Sequence, residues 1–411
     1  MHRREFLFLL PAGLALPGEL LAARPNSFRV RTITAGVPLA LDDWDRQFQQ
    51  AAAFLDAARS DFQARGYEVQ TLRIATQPLP EYLSDWPSSG GLQLLAELDE
   101  FCQQQDMILS IGPIIHSNQY EPKLADWAAE LIRSTSRISF TVAIASADTG
   151  VHPAAIRSAA ETIAAIARTS AGGEGNFRFA ATAHCQPGTP FFPAAWHRGE
   201  PSFAIGLETP PLLLSAVKSL PENVPAARHI AAAMDIALAP VQSQAEAIAR
   251  RTGRSYLGID TSPAPGPDAS IGEVIETLTG VPFGSASTLR ACANITEGLK
   301  KLQVKTCGYS GLMLPVLEDT VLAERAAEGR YGIAELLLYS SVCGTGLDVV
   351  PLPGDSSAQS LASVIGDVAA LSAKYQKPLS ARLFPIPGKT AGETVTFNNP
   401  FLSDSVVMKL D

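Results

Sequence analysis

Three stretches of this chain set residues capable of chemistry beside glycine or proline. Asp260-Thr261-Ser262 ends an apolar alternating run at 255–260, so a carboxylate at the end of a strand faces a proline-rich loop. Cys343-Gly344-Thr345-Gly346-Leu347-Asp348 and the nearby Gly354-Asp355-Ser356-Ser357 hold two carboxylates on backbone that glycine lets approach a ligand closely. Such a carboxylate cluster suits Mg²⁺ or Ca²⁺, or acid and base work on a polar substrate. Gly284-Ser285-Ala286-Ser287-Thr288 is rich in small hydroxyls and leads into a helical pattern, where free amides favour an anion. His184-Cys185 and Trp196-His197-Arg198 flank a loop at 188–195, and Cys with His in one region suits a nucleophile or a transition metal.

From these, Asp260, Asp348, His197 and Cys343 are the catalytic candidates. Ser262, Ser285, Ser287, Thr288, Gly344, Gly346 and Asp355 are the candidate ligand contacts. Each has a plainer reading. Asp355 and its serines precede a long helix and suit N-capping, the Ser/Thr-rich turn suits the same role, and a histidine beside aromatics packs. The chain has no P-loop lysine at the required spacing, no HExxH helix, no GxGxxG fingerprint and no serine-hydrolase elbow, so no metal or cofactor is assigned.

The elements that must position these residues follow from periodicity. A strand at 28–33, a helix at 44–65 with Phe48, Ala52, Leu55 and Phe62 on one stripe, and a strand at 67–74 make a βαβ opening. The alternation recurs through strands at 107–111, 139–145, 177–183, 202–207, 255–260 and 380–385 and helices at 91–105, 123–134, 153–170, 224–251, 288–301 and 360–374, with Pro240 expected to break or kink the helix at 224–251. Parallel pairing is the natural inference. In a parallel sheet, ligands sit beyond the carboxyl ends of the strands, which directs attention to the loops named above. The second half, glycine-rich and stiffened by proline, is expected to supply most of a ligand site.

At 411 residues, 46% hydrophobic and 18% charged, the chain can bury a large core, and no linker divides residues 27–411. The formal charge of −9 is spread along the chain without a basic stripe, which excludes nucleic acid as a partner. The five cysteines have no close pairs, so they indicate neither a zinc ribbon nor a disulfide framework. Residues 1–24 differ from the rest: Arg3-Arg4-Glu5-Phe6-Leu7 opens an apolar run reaching Ala22-Ala23. That pattern fits a twin-arginine signal segment, with the twin-arginine translocase as a transient partner and the periplasm as destination, or a membrane anchor if Leu21-Ala22-Ala23 is not cleaved.

The motifs Gly258-Ile259-Asp260 with Ser262-Pro263-Ala264-Pro265, Gly311-Leu312-Met313-Leu314-Pro315-Val316-Leu317-Glu318-Asp319, Cys343 to Asp348 with Pro351-Leu352-Pro353-Gly354-Asp355, and Pro385-Ile386-Pro387-Gly388-Lys389 resemble, in order and spacing, domain of unknown function family 711, also called uncharacterised protein family 0210. Thr32 to Gly36, Gln70 to Ala75 and Thr189 to Ala195 extend the likeness into the first half. The resemblance implies an α/β fold similar to the pyruvate-formate-lyase type, a barrel-like parallel sheet in two halves wrapped by helices. It implies no activity. Where relatives tend to carry a Cys-Gly-x-His-Gly turn, this chain has Phe283-Gly284-Ser285-Ala286-Ser287. Lys305 to Gly311 superficially resembles the segment that carries the radical in glycyl radical enzymes, but about a hundred residues follow it, so no radical glycine is expected.

The sequence therefore supports an exported α/β protein, either an enzyme acting on a small polar or anionic metabolite by non-radical chemistry or a periplasmic binding or scaffold protein. Replacing Arg3 and Arg4 by Lys should abolish export, as read by fractionation of the expressing cells. Normal export of that variant would remove the twin-arginine reading.

Overall fold

The first strand, β1 (Arg29–Val37), is followed by α1 (Trp44–Gln63), whose Phe48, Ala52, Leu55 and Phe62 are all buried as their helical spacing requires. In this computed structural model, which describes residues 27–266, 268–397 and 399–410, the pattern continues regularly. It runs through β2 (Val69–Thr76), α2 (Ser89–Gln104), β3 (Met107–Ile115), α3 (Leu124–Ser134), β4 (Ile138–Ser146), the short β5 (Gly150–Val151), α4 (Pro153–Thr169) and β6 (Phe179–Ala183). The expected signal segment lies outside the described residues, and among those described no helix is long and apolar enough to cross a membrane.

After β6 the chain crosses without a helix to β7 (Ser202–Glu208), then follows α5 (Pro210–Lys218), α6 (Ala226–Thr252), β8 (Ser255–Asp260), α7 (Ile271–Thr279), α8 (Thr288–Lys300), α9 (Thr320–Ala327), α10 (Ile333–Ser340), β9 (Gly346–Pro353), α11 (Ala358–Tyr375) and β10 (Leu379–Ile386). A small separate pair, Thr394–Val395 with Ser405–Val406, lies near the end of the chain. The large sheet has the order β8-β7-β1-β2-β3-β4-β6-β10-β9. Pairing along this path is parallel except at two seams, β1 with β7 and β6 with β10. The fold is thus α/β with a large, mostly parallel sheet in three runs, the central β1-β2-β3-β4-β6 run opposite in direction to the β8-β7 and β10-β9 runs beside it, and with helices around it. Parallel pairing holds within each run because helices supply the crossovers.

Between α8 and α9, residues 305–316 form no regular strand, yet they reach both outer strands. Ile259 of β8 makes a parallel bridge with Thr306, and Asp348 of β9 makes one with Pro315. The backbone N–H of Ile259 donates to Lys305 O at 2.8 Å, and that of Val316 to Asp348 O at 3.0 Å.

Two local outcomes differ from the sequence expectation. Residues 346–353, read as a glycine- and proline-rich loop, form β9; Gly346 has φ +90 and lies so close to the Ser380 backbone that a Cβ would collide with its carbonyl. The other is α6, which runs unbroken past Pro240. The carbonyl that this proline leaves unpaired belongs to Ile236, which is 42% exposed, so water can satisfy it.

Gly308 has φ +61, and a Cβ there would run into the Asp260 carboxylate. Gly280 has φ +72 with open space around it. Gly280→Ala should cost about 1 kcal/mol through backbone conformation alone. Gly308→Ala should cost about 2–4 kcal/mol, because strain and overpacking add. Urea unfolding of both variants measures this, and equal losses would show that Asp260 does not fix the position of the 308 turn.

Candidate functional site

Side chains from the central run and from the β10-β9 run of the sheet line one cavity of about 320 Å³. β1 contributes Arg31, β2 Arg73, β4 Ser139, β6 Ala180, β9 Asp348 and β10 Ser380 and Arg382. Phe191 to Ala194, Ala264-Pro265 and the residues Tyr309, Met313, Pro315 and Glu318 complete the wall. The strands that share this one space run from β1 through to the β9 edge of the sheet.

Arg382 is the electrostatic hinge of the cavity. Its Nη1 donates to Asp348 Oδ1 at 2.8 Å and Glu318 Oε1 at 3.0 Å, and its Nη2 donates to the Phe177 carbonyl at 3.3 Å. The guanidinium lies over the Phe177 ring, 4.8 Å from its centroid. Burial works against its charge, but Asp348 and Glu318 outweigh that and keep it a cation. Burial, assisted by the nearby Glu318 charge, pushes the Asp348 carboxyl up, and the Arg382 cation opposes that shift. The next residue, Val349, has φ +48, an uncommon conformation for a β-branched side chain, at a register shift between β9 and β10. This bulge accompanies the turn of Asp348 toward Arg382.

Arg73 is the opposite case. It is 8% exposed, its Nε donates to Thr71 Oγ1 at 3.1 Å, and its guanidinium lies 4.8 Å from the Phe192 ring centroid. Among the described residues no carboxylate ion-pairs with it. Burial, together with the nearby Arg31 cation, pushes it down to about 9, with Glu318 partly opposing. Arg31 is engaged elsewhere, with Glu208 Oε2 at 3.3 Å and Gln70 Oε1 at 3.1 Å. Arg178, at one end of the cavity, is saturated by the carbonyls of Ile132 and Ile138 and the Thr135 hydroxyl.

Of the four residues chosen as catalytic candidates, Asp348 lines this cavity and the other three sit in the surrounding framework. Asp260 is fully buried and accepts the backbone N–H groups of Ser262, Tyr309 and Ser310 at 2.8–3.1 Å. His197 has both ring nitrogens engaged, with Ser202 Oγ at 3.2 Å and the Gly199 carbonyl at 2.8 Å, and burial lowers its affinity for a proton. Cys343 is packed in the hydrophobic core.

The candidate ligand contacts are similarly spread. Ser262 Oγ accepts the Gly311 N–H at 3.1 Å, and Gly344 packs backbone to backbone on Gly311. Thr288 Oγ1 accepts the Gly284 N–H at 3.1 Å, while Ser285 is half-buried and Ser287 exposed beside it at the start of α8. Gly346 is the buried first residue of β9, and Asp355 lies exposed before α11, whose N-cap is Ser357. The Cys185 thiol, pushed up to about 12 by burial, donates to the Tyr309 hydroxyl at 3.3 Å and stays protonated.

Sequence reasoning passed over Arg73 and Arg382 because it searched loops. The available signal was a lone arginine inside an otherwise buried strand, in Val69-Gln70-Thr71-Leu72-Arg73-Ile74 and in Leu379-Ser380-Ala381-Arg382-Leu383-Phe384. A charge facing into such a sheet has to meet a partner or a ligand.

The chain belongs to the family described as "Uncharacterised ACR (DUF711)", whose profile matches residues 23–398. It is similar to a UPF0210 protein of Pyrobaculum aerophilum, 31% identical over 349 residues covering 80% of this chain and 76% of the relative. A UPF0210 protein of Desulforudis audaxviator is 27% identical over 398 residues, covering 90% of this chain and 88% of that one. One from Methanosarcina barkeri is 25% identical over 364 residues, covering 84% and 80%.

Removing Arg382 should leave Asp348 and Glu318 buried without their cation, so Arg382→Met should cost about 3–5 kcal/mol at neutral pH. Without the arginine the folded-state pKa of Asp348 rises further above its unfolded value. A raised carboxyl favours the fold in its protonated form, so the cost should shrink as pH falls toward about 4 and grow as pH rises through the folded value. Melting curves of wild type and variant from pH 4 to 8 measure the difference, and a pH-independent gap would show that the pair is not electrostatically linked.

Proposed function

We propose that this DUF711 member is an enzyme acting on a small metabolite that carries an acidic group, bound in the cavity against Arg73 and worked on by acid-base chemistry at Asp348. One observation carries the reading: Arg73 is a buried cation lining the cavity with no counter-charge among the described residues. An unpaired buried charge destabilises a fold, and a ligand carboxylate or phosphate would supply the missing partner. Asp348 supplies the proton-handling group, since burial favours its protonated form while Arg382 keeps the anion accessible. Against radical chemistry stands the position of Gly308, held beneath the Asp260 carboxylate in backbone bonded to β8.

Two further readings belong to the proposal. The sheet is read as a ring closed by residues 305–316, similar to the pyruvate-formate-lyase type; the bridges of this segment to both β8 and β9 support it. The second reading is export by the twin-arginine route, supported by Arg3-Arg4-Glu5-Phe6-Leu7.

A binding protein without catalysis is the rival, favoured by the fact that Asp260, His197 and Cys343 are spent on structure. Incubating wild type and Asp348→Asn with a metabolite extract, followed by mass spectrometry, separates the two. Catalysis depletes compounds with the wild type and not the variant, whereas a binder retains compounds unchanged with both.

Arg73→Met should raise the melting temperature of the ligand-free protein, because it removes an unpaired buried charge while keeping the packing on Phe192. It should also weaken binding of small carboxylates or phosphate by roughly 100-fold. Calorimetry with both proteins checks this, and unchanged anion binding by the variant would overturn the reading.

A further inference from the structure

Besides Arg382 Nε and Thr345 Oγ1, which are buried without a partner among the described residues, the open groups of the charged side chains in the cavity fall into two sets of opposite kind. On the β2 side, the terminal nitrogens of Arg73 are donors without an acceptor among the described residues, since its single side-chain bond uses Nε. Across the cavity, Arg382 engages Asp348 through Oδ1 and Glu318 through Oε1, which leaves Oδ2 and Oε2 as acceptors without a donor among the described residues. The remaining cations do not blur this division. Arg31 is ion-paired with Glu208 through Nη1, Arg137 with Asp106 at 3.1 Å, and Arg178 is held by carbonyls and a hydroxyl. Phe177, Phe192 and Met313 add apolar surface to the lining.

Resting on the anion reading above, we propose that the substrate is a short carboxylic acid with a hydroxyl or ammonium group at its other end, its carboxylate on Arg73 and its donor group on the free oxygens of Asp348 and Glu318. A ligand of this kind satisfies both open sets at once. A dicarboxylate would set its second carboxylate against two carboxylate oxygens at low dielectric, a like-charge contact where the adjoining cation, Arg382, is already shared between Asp348 and Glu318. A plain fatty acid of the same length would leave both acceptor oxygens desolvated and unpaired. The donor end also lies on the residue proposed to move a proton, so the reaction falls at or beside the carbon that bears the hydroxyl or ammonium group.

Titration calorimetry with 4-aminobutyrate, 4-hydroxybutyrate, succinate and butyrate, and with their five-carbon analogues, tests the inference. The amino and hydroxy acids should bind wild type at least about tenfold tighter than the diacid or the plain acid of the same length. Arg73→Met should lose all of them. The double variant Asp348→Asn with Glu318→Gln keeps side-chain size, and it should lose the preference while succinate gains; circular dichroism melting confirms that it folds. If succinate binds wild type more tightly than the amino and hydroxy acids, or if the preference survives the double variant, the two-ended substrate is overturned while dependence on Arg73 keeps the anion reading. If no probe binds wild type, or binding ignores Arg73→Met, both are overturned.

Discussion

The carboxylate of Asp260 is the contact on which one wall of the cavity depends. It sits at the end of β8, fully buried, and accepts three backbone N–H groups, one from its own loop at Ser262 and two from Tyr309 and Ser310. Burial alone drives a carboxyl toward its neutral form, and those amides oppose the shift by bonding the charged one. The irregular backbone at 305–316 has few ladder bonds, so this clamp replaces the pairing that a regular strand would have had. Tyr309, Met313, Pro315 and Glu318 all follow the clamped turn in the chain and all line the cavity. The same device recurs at Asp319, which accepts the N–H groups of Ile271, Gly272 and Leu322 and so ties the start of α7 to that of α9.

Among the described residues, Arg73 is the arginine of the cavity lining with neither a carboxylate nor a carbonyl as partner. The interior cations Arg31 and Arg382 have carboxylate partners, and Arg178 is held by carbonyls and a hydroxyl. A fold selected only for stability would have placed a methionine or leucine at position 73, because an apolar side chain packs on Phe192 without the desolvation cost of a guanidinium. The unpaired cation and the left-handed Val349 beside Asp348 both store unfavourable energy around the same cavity, and such sites are where ligands are recognised or transformed.

Much of the fold was legible because its signals are local. The Phe48, Ala52, Leu55 and Phe62 stripe identifies α1, and alternation with helices of crossover length identifies parallel pairing within each run. The two antiparallel seams were not legible, since they depend on which strands meet after the helix-free connection from β6 to β7. β9 was missed because Gly346, Pro351 and Pro353 have the composition of a turn, and only the approach of the Ser380 backbone shows why glycine is needed in a strand there. The cavity was half legible: Asp348 was found, whereas Arg73 and Arg382 lay inside strands and looked like interruptions of an apolar pattern.

Placing the second half at the centre of a ligand site follows from its glycine and proline content, and the structure gives that content a different use. Gly311, Gly344 and Gly346 permit close backbone contacts that join residues 305–316, β9 and β10, and Gly308 makes room for the Asp260 carboxylate of β8. They build the frame of the cavity, and close packing leaves them little room to touch a ligand. The side chains that give the cavity its chemical character come from both halves, Arg73 from one and Asp348, Glu318 and Arg382 from the other. A cavity built across runs of opposite direction does not lie at the carboxyl ends of all its strands, so the usual guide to ligand sites in parallel sheets applies to only one run at a time. The more reliable guide here is the charged residue that a buried strand retains at a cost to its stability, because only a partner supplied from across the sheet, or from a ligand, can offset that cost.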